Sequence, residues 1–318
     1  MPSIDRRTFL TSSAAATVGL SLAARTAVAG ETRHRKFTMD LTPGMVGISG
    51  PLPEIVALAH RHGFESVAPD AGYIAGLSDG GLEELLADLE AKELVWGTAG
   101  LPVDFRRDEE TFTDGLERLP EFARHLKRAG VTRVATWITP QSDTLTYLEN
   151  FHRHARRLRE VAQVLGARGL RLGLEYVGPK TSWTAGRFPF IHTMKEMQEL
   201  IAEIGEPNVG LLLDSWHWYH ADETAEDILA LSNEDVVDCH VNDAPADIPK
   251  DEQVDLVRAL PAATGVIDLA AFLGALVQIG YDGPVRAEPF DKELNALDNE
   301  AAAAKTAAAM RKAFSLVE

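Results

Sequence analysis

Short apolar runs rich in β-branched residues recur along the chain, and each is followed by a longer stretch in which apolar and polar positions alternate in threes and fours. Eight such runs stand out, at 36–48, 64–70, 94–103, 132–139, 171–177, 208–214, 236–242 and 283–288. Between them, residues such as Leu82, Leu85, Leu86 and Leu89, or Leu158, Val161 and Leu165, have the spacing that lines one face of an α-helix. Several of these helical stretches close on glycine just before the next strand, as in His62-Gly63, Ala129-Gly130, Ile204-Gly205 and Ile279-Gly280. Glycine adopts the left-handed backbone of a helix terminus without strain. The eighth helix is the alanine-rich stretch from Asn299 to Phe314, made largely of strong helix formers.

Strand and helix in strict alternation predict a parallel sheet with crossover helices, an α/β fold. Eight consecutive units, no Pro/Ser/Gly linker and no G-x-G-x-x-G after the first strand favour a closed (β/α)8 TIM barrel over an open Rossmann sheet. The expected organisation is one TIM-barrel catalytic domain over 30–318. Its 289 residues suit a barrel that typically takes about 250.

Residues 1–29 read differently. Asp5-Arg6-Arg7-Thr8-Phe9-Leu10 precedes a weakly apolar Ala/Ser/Thr/Leu run that ends in Ala27-Val28-Ala29. This resembles a twin-arginine signal peptide, which predicts export of a folded protein to the periplasm or beyond. The whole chain carries 48 acidic and 31 basic side chains, a formal charge of -17. Removing Asp5, Arg6, Arg7 and Arg25 takes away a net +2 and leaves about -19. Such an acidic chain lacks the clustered cations that phosphate backbones require, so a nucleic-acid partner is disfavoured and a small-molecule substrate expected. No window holds the roughly 18 apolar residues of a membrane span. The single cysteine, Cys239, excludes an internal disulfide framework and a thiolate metal cluster, so any metal site must use histidine and carboxylates.

Barrel chemistry gathers at the C-terminal ends of the strands. Four polar residues end apolar runs there: Glu175 in Gly-Leu-Glu-Tyr, Asp214 in Leu-Leu-Asp-Ser, His240 in Cys-His-Val-Asn-Asp and Glu288 in Arg-Ala-Glu-Pro-Phe. They are 39, 26 and 48 positions apart, each about one strand-helix unit, so four successive strands offer one ligand each to one mouth. Hard oxygens with one imidazole suit one divalent ion, Mn2+, Mg2+ or Co2+, with Zn2+ also compatible.

The constellation resembles that of the xylose isomerase-like TIM-barrel superfamily of sugar isomerases and epimerases, which includes D-tagatose 3-epimerase and inosose dehydratase. The resemblance implies a divalent cation held by Glu175, Asp214, His240 and Glu288. The family's Asp-x-x-His appears as Asp214-Ser215-Trp216-His217, which implies that His217 touches substrate. Its Arg followed by a Pro-Gly-x-Gly-like turn appears as Arg258-Ala259-Leu260-Pro261-Ala262-Ala263-Thr264-Gly265, which implies that Arg258 binds substrate oxygens. Ala262 stands where the family has its first glycine.

The expected function is a metal-dependent sugar isomerase or epimerase. Glu175 and Glu288 would act as an acid/base pair beside a carbonyl, through an enediolate that the ion stabilises as a Lewis acid. The substrate is expected to be an unphosphorylated carbohydrate. A lyase or dehydratase acting on an oxidised sugar or glycoside is the alternative. An endonuclease IV-like nuclease and a non-catalytic sugar-binding barrel are weaker ones. Trp216, with Trp218 and Tyr219, is expected to wall a sugar ring, and Asn242 and Asp243 to orient the imidazole of His240. Asp238 and Arg286 should pair one step beneath the ion, Cys239 should point away from it, and His60, His62, His152 and His154 should lie in solvent.

Overall fold

A computed structural model describes residues 34–318, and His34–Glu318 forms one unit. The signal peptide expected at 1–29 lies outside the described residues. The strands are β1 (Thr38–Leu41), β2 (Ser66–Val67), β3 (Val95–Trp96), β4 (Ala99–Gly100), β5 (Arg133–Trp137), β6 (Gln141–Ser142), β7 (Arg171–Glu175), β8 (Phe188–Pro189), β9 (Val209–Asp214), β10 (Val236–Val241) and β11 (Pro284–Ala287). The helices are α1 (Leu52–His62), α2 (Ala71–Gly76), α3 (Asp79–Ala91), α4 (Glu109–Arg128), α5 (Tyr147–Gly166), α6 (Lys180–Trp183), α7 (Met194–Ile204), α8 (Ser215–His220), α9 (Ala225–Leu229), α10 (Leu269–Ile279) and α11 (Asn299–Phe314).

Nine strands form one parallel sheet in the order β3-β2-β1-β11-β10-β9-β7-β5-β4. Its two ends, β3 and β4, are halves of a single stave separated by Gly97 and Thr98, so the ring closes through that stave and the fold is a TIM barrel. The sequence predicts one unbroken strand there. Glycine is required at the break: a Cβ at position 97 would lie 2.2 Å from the buried Asp40 carboxylate. The first strand is also shorter than its apolar run, because Pro43–Val46 coils into a 3-10 turn that Gly47 ends in the left-handed region. Conversely, β6 and β8 pair antiparallel outside the barrel, a ribbon too short for periodicity to reveal.

All eight predicted runs supply staves, and the helices pack around them as the apolar spacing requires. Leu82, Leu85 and Leu89 are buried on α3, as are Leu158, Val161 and Leu165 on α5. Side chains fill the barrel floor. A Cβ on Gly173 would stand 3.1 Å from that of Val237, so any side chain there would have to push this valine aside by a few tenths of an ångström. Val237 points inward because the register shifts between Val236 and Asp238, a bulge that turns consecutive residues the same way. His154, expected in solvent, is instead buried on α5 against Phe105 and Phe190, with Nδ1 2.8 Å from the Asn150 carbonyl. Burial lowers its pKa to about 3.

Candidate functional site

Each predicted ligand lies within one residue of the end of a strand, so backbone pairing between staves fixes its position. Glu175 ends β7, Asp214 ends β9, His240 lies on β10 and Glu288 follows β11. All four are buried, and one ligand atom from each lies within 4.8 Å of the others. His240 turns Nδ1 toward the acids, 3.1 Å from Glu288 Oε2, 3.4 Å from Glu175 Oε1 and 3.7 Å from Asp214 Oδ2.

This donor set fits a divalent cation. Three buried carboxylates facing one imidazole nitrogen are costly unless positive charge compensates them, and Glu175 Oε1 is buried with no hydrogen-bond partner. Asp214 serves twice, since Oδ1 also accepts from the Trp216 N–H at 2.8 Å and caps α8. Asn242 secures the cluster by donating to both Asp214 oxygens, at 3.0 and 3.2 Å, and accepting from the Glu288 N–H at 2.9 Å. Sequence reasoning assigned Asn242 and Asp243 to the imidazole. The structure gives that position to Asp238, whose Oδ2 lies 3.4 Å from His240 Nε2 on the face away from the acids. Asp243 instead accepts from Thr264, Gly265 and Ile267 N–H groups and shapes the loop that carries Arg258.

The expected pair beneath the site is present, with Arg286 Nη2 3.8 Å from Asp238 Oδ2. Cys239 is buried. Arg258 is buried as well, donating to Asp214 Oδ2 at 2.7 Å and Glu288 Oε2 at 3.1 Å. Its loop keeps a left-handed turn at Ala262, φ 56°, even though alanine replaces glycine there. His217 Nε2 is 3.7 Å from Glu175 Oε1, and its Nδ1 accepts from the Gly178 N–H at 3.2 Å. Trp216 is fully buried, with Arg258 over its ring at 5.5 Å and His220 against it, so it backs Arg258 instead of walling the cavity.

Electrostatics separates the two glutamates. Burial raises the Glu175 pKa above the ordinary carboxylate range, despite opposition from His240 and His217. Burial also acts against ionised Glu288, but His240, Arg258 and Arg286 outweigh it and hold its pKa near about 2. Asp214 is likewise depressed: Arg258 and the histidines outweigh burial. His240 is raised well above its ordinary value, since Glu288, Asp214 and Asp238 outweigh burial and Arg286.

Beside the cluster opens a cavity of about 530 Å³, lined by Glu175, His240, Arg286 and Glu288 and by the ends of staves one to five. Two of its residues, Arg106 and Trp137, escaped sequence reasoning. Trp137 gave a faint signal as an aromatic ending a strand. Arg106 gave none, because it belongs to the loop before α4 and only the fold brings it to the mouth.

The sequence profile of the xylose isomerase-like TIM barrel matches residues 56–313. The chain belongs to that family. Within it, a xylose isomerase domain protein from Alicyclobacillus acidocaldarius is 32% identical with TM-score 0.77, over 88% of this chain and 99% of that one. The IolI protein, crystallised with a bound zinc atom, shares the fold at 22% identity and TM-score 0.72, over 88% of this chain and 98% of its own. Among curated relatives, inosose isomerase of Bacillus subtilis is 30% identical over 146 residues, 46% of this chain and 49% of the relative. The 3-dehydroshikimate dehydratase of Pseudomonas aeruginosa is 29% identical over 268 residues, 83% of this chain and 40% of the relative. The match thus spans about half or less of those curated relatives. These family members are enzymes, an isomerase and a dehydratase by name.

Proposed function

We propose that this chain is a divalent-metal-dependent isomerase or epimerase of a small polyhydroxy carbonyl compound, acting by proton transfer at the carbon beside the carbonyl. The observation that carries this reading is the convergence of Glu175, Asp214, His240 and Glu288 within 4.8 Å at the mouth of a barrel, next to a cavity of sugar size. Held by those four residues, Mn2+, Mg2+ or Co2+, or alternatively Zn2+, would supply Lewis acidity to the charge developing on the substrate oxygen.

Residues of the chain supply the rest. Glu175 faces the cavity with an oxygen that has no hydrogen-bond partner and a proton affinity raised by burial, which suits proton exchange with a substrate carbon. Glu288 reaches the same space from a different stave and is held ionised, which suits the complementary step. Transfer by both carboxylates on opposite faces inverts the carbon, whereas return of the proton to the neighbouring carbon interconverts aldose and ketose. Arg258, bound to Asp214 and Glu288, and His217, beside Glu175, border the ligand cluster and do not line the cavity, so they are candidates to hold substrate oxygens only next to the ion, with Trp216 supporting Arg258 from behind.

The test is deuterium incorporation from D2O into keto-sugars by the metal-loaded protein, with chelated protein and Glu288→Gln alongside. Both controls should lose exchange, and Glu288→Gln should also bind metal more weakly. Full exchange after chelation, or in Glu288→Gln, overturns the reading. The relative named 3-dehydroshikimate dehydratase, aligned over 268 residues, favours loss of water as a second outcome at the same site. A product 18 mass units lighter than substrate, the mass of water, would identify it. Export by the twin-arginine route completes the proposal, and the paired Arg6 and Arg7 support it. Cell fractionation of an Arg6→Lys/Arg7→Lys double variant tests it.

A further inference from the structure

The charged residues lining the cavity are Asp70, Arg106, Glu175, His240, Arg286 and Glu288. Five of the six serve the ligand cluster, the pair beneath it or a helix cap. Glu175, His240 and Glu288 belong to the ligand cluster, Arg286 faces Asp238, and Asp70 caps α2 through the Tyr73 N–H at 2.9 Å. Arg106 remains. Its Cζ lies over the rings of Phe105 and Trp137, 4.3 and 4.4 Å from their centroids, so cation–π contacts hold the guanidinium at the cavity mouth. Nη2 donates to Thr136 Oγ1 at 2.7 Å and to the Trp137 carbonyl. Nε is shielded from solvent and has no hydrogen-bond partner. Nη1 meets Asp104 Oδ1 at 3.7 Å, beyond hydrogen-bonding range, and that oxygen also takes the Arg106 backbone N–H at 3.3 Å. Burial lowers the Arg106 pKa to about 10. Its nearest carboxylate thus stands at ion-pair distance without a hydrogen bond, and the guanidinium keeps donors to spare.

We infer that the substrate of this site carries a carboxylate, which pairs with the edge of Arg106 while its ring or chain lies along the exposed face of Trp137. The inference rests on the metal-dependent reading above and narrows it, from sugars in general to sugar acids and cyclic keto acids. A planar carboxylate matches a guanidinium edge better than a phosphate dianion does, since the latter calls for donors from several directions. Trp137 is 48% exposed and offers the flat apolar surface that such a ring needs.

The test uses the Mn2+-loaded full chain and matched compounds: D-fructose and D-tagatose, the uronates in which a carboxylate replaces C6, and the corresponding 6-phosphates. Solvent deuterium exchange gives kcat/KM, and calorimetry gives binding. The uronates should exceed the neutral ketoses, and Arg106→Gln should cost the acids about 10- to 100-fold more than it costs the ketoses. Arg106→Lys should recover part of that difference. Equal losses on acids and ketoses would make Arg106 a strut between its loop and β5 and overturn the inference, as would a preference for the phosphates or the absence of Arg106-dependent acid binding. The two readings can fail separately. Exchange on neutral ketoses without acid preference sinks only the carboxylate, whereas Arg106-dependent acid binding without exchange sinks only the proposed reaction.

Discussion

Asp238→Asn separates orientation of the imidazole from ligation itself. The residue is fully buried, with Oδ2 3.4 Å from His240 Nε2 and 3.8 Å from Arg286 Nη2. Asparagine keeps the shape and removes the charge. At an effective dielectric of about 20, two unit charges 3.8 Å apart attract by about 4 kcal/mol. Losing one partner of a buried pair typically costs about 3–5 kcal/mol. The long separation and the nearby Asp40 carboxylate, which also stabilises charged Arg286, argue for the lower end, about 3 kcal/mol. Separately, losing the carboxylate behind a ligating histidine lowers metal affinity about 10- to 100-fold. Competition titration against a chromophoric chelator reads the affinity, and urea unfolding of the same samples reads the stability. A variant that unfolds earlier yet binds Mn2+ or Zn2+ within twofold of the parent would refute the orienting role.

Two further outcomes are expected. Gly178→Ala would bring a Cβ to 2.5 Å from the His217 carbonyl oxygen, a backbone atom with little room to yield, so urea unfolding should show a loss of about 2 kcal/mol; an unchanged midpoint would contradict the packing. Burial raises the Glu223 pKa to about 7, although Tyr176 Oη–H and the Met194 N–H donate to it. Between its ordinary value of 4.5 and about 7 the folded chain retains a proton that the unfolded chain has lost, so this group makes stability fall as pH rises through that window, by on the order of 3 kcal/mol. Glu223→Gln should flatten the dependence, and equal slopes in urea midpoints from pH 5 to 8 would refute it.

The sequence legibly marked the staves and the four residues of the candidate metal cluster, because both depend on local order. An apolar run has to be a strand, and an acid or imidazole at its end has to face the mouth. Boundaries were less legible. The third stave is divided at Gly97, where the lack of a side chain leaves room for the carboxylate of Asp40, far away in the chain. Asp238 and Asn242 were both recognisable as neighbours of His240, but it is Asp238, paired with Arg286 as expected, that also backs the imidazole, while Asn242 binds Asp214 and the Glu288 N–H. A strand's alternation tells which side a residue faces and says nothing of which partner the adjacent stave brings, and the bulge at Val236–Asp238 changes even the side.

Periodicity and end-of-strand chemistry, both written within ten or twenty residues, determined the barrel, its sequence of staves and the four candidate ligands. The tertiary structure alone decided which ring nitrogen meets the acids, that Trp216 stands behind Arg258, and that Arg106 and Trp137 border the cavity. Those facts depend on the register between strands and on loop paths, where residues distant in the chain meet, and no local pattern encodes the distance between them.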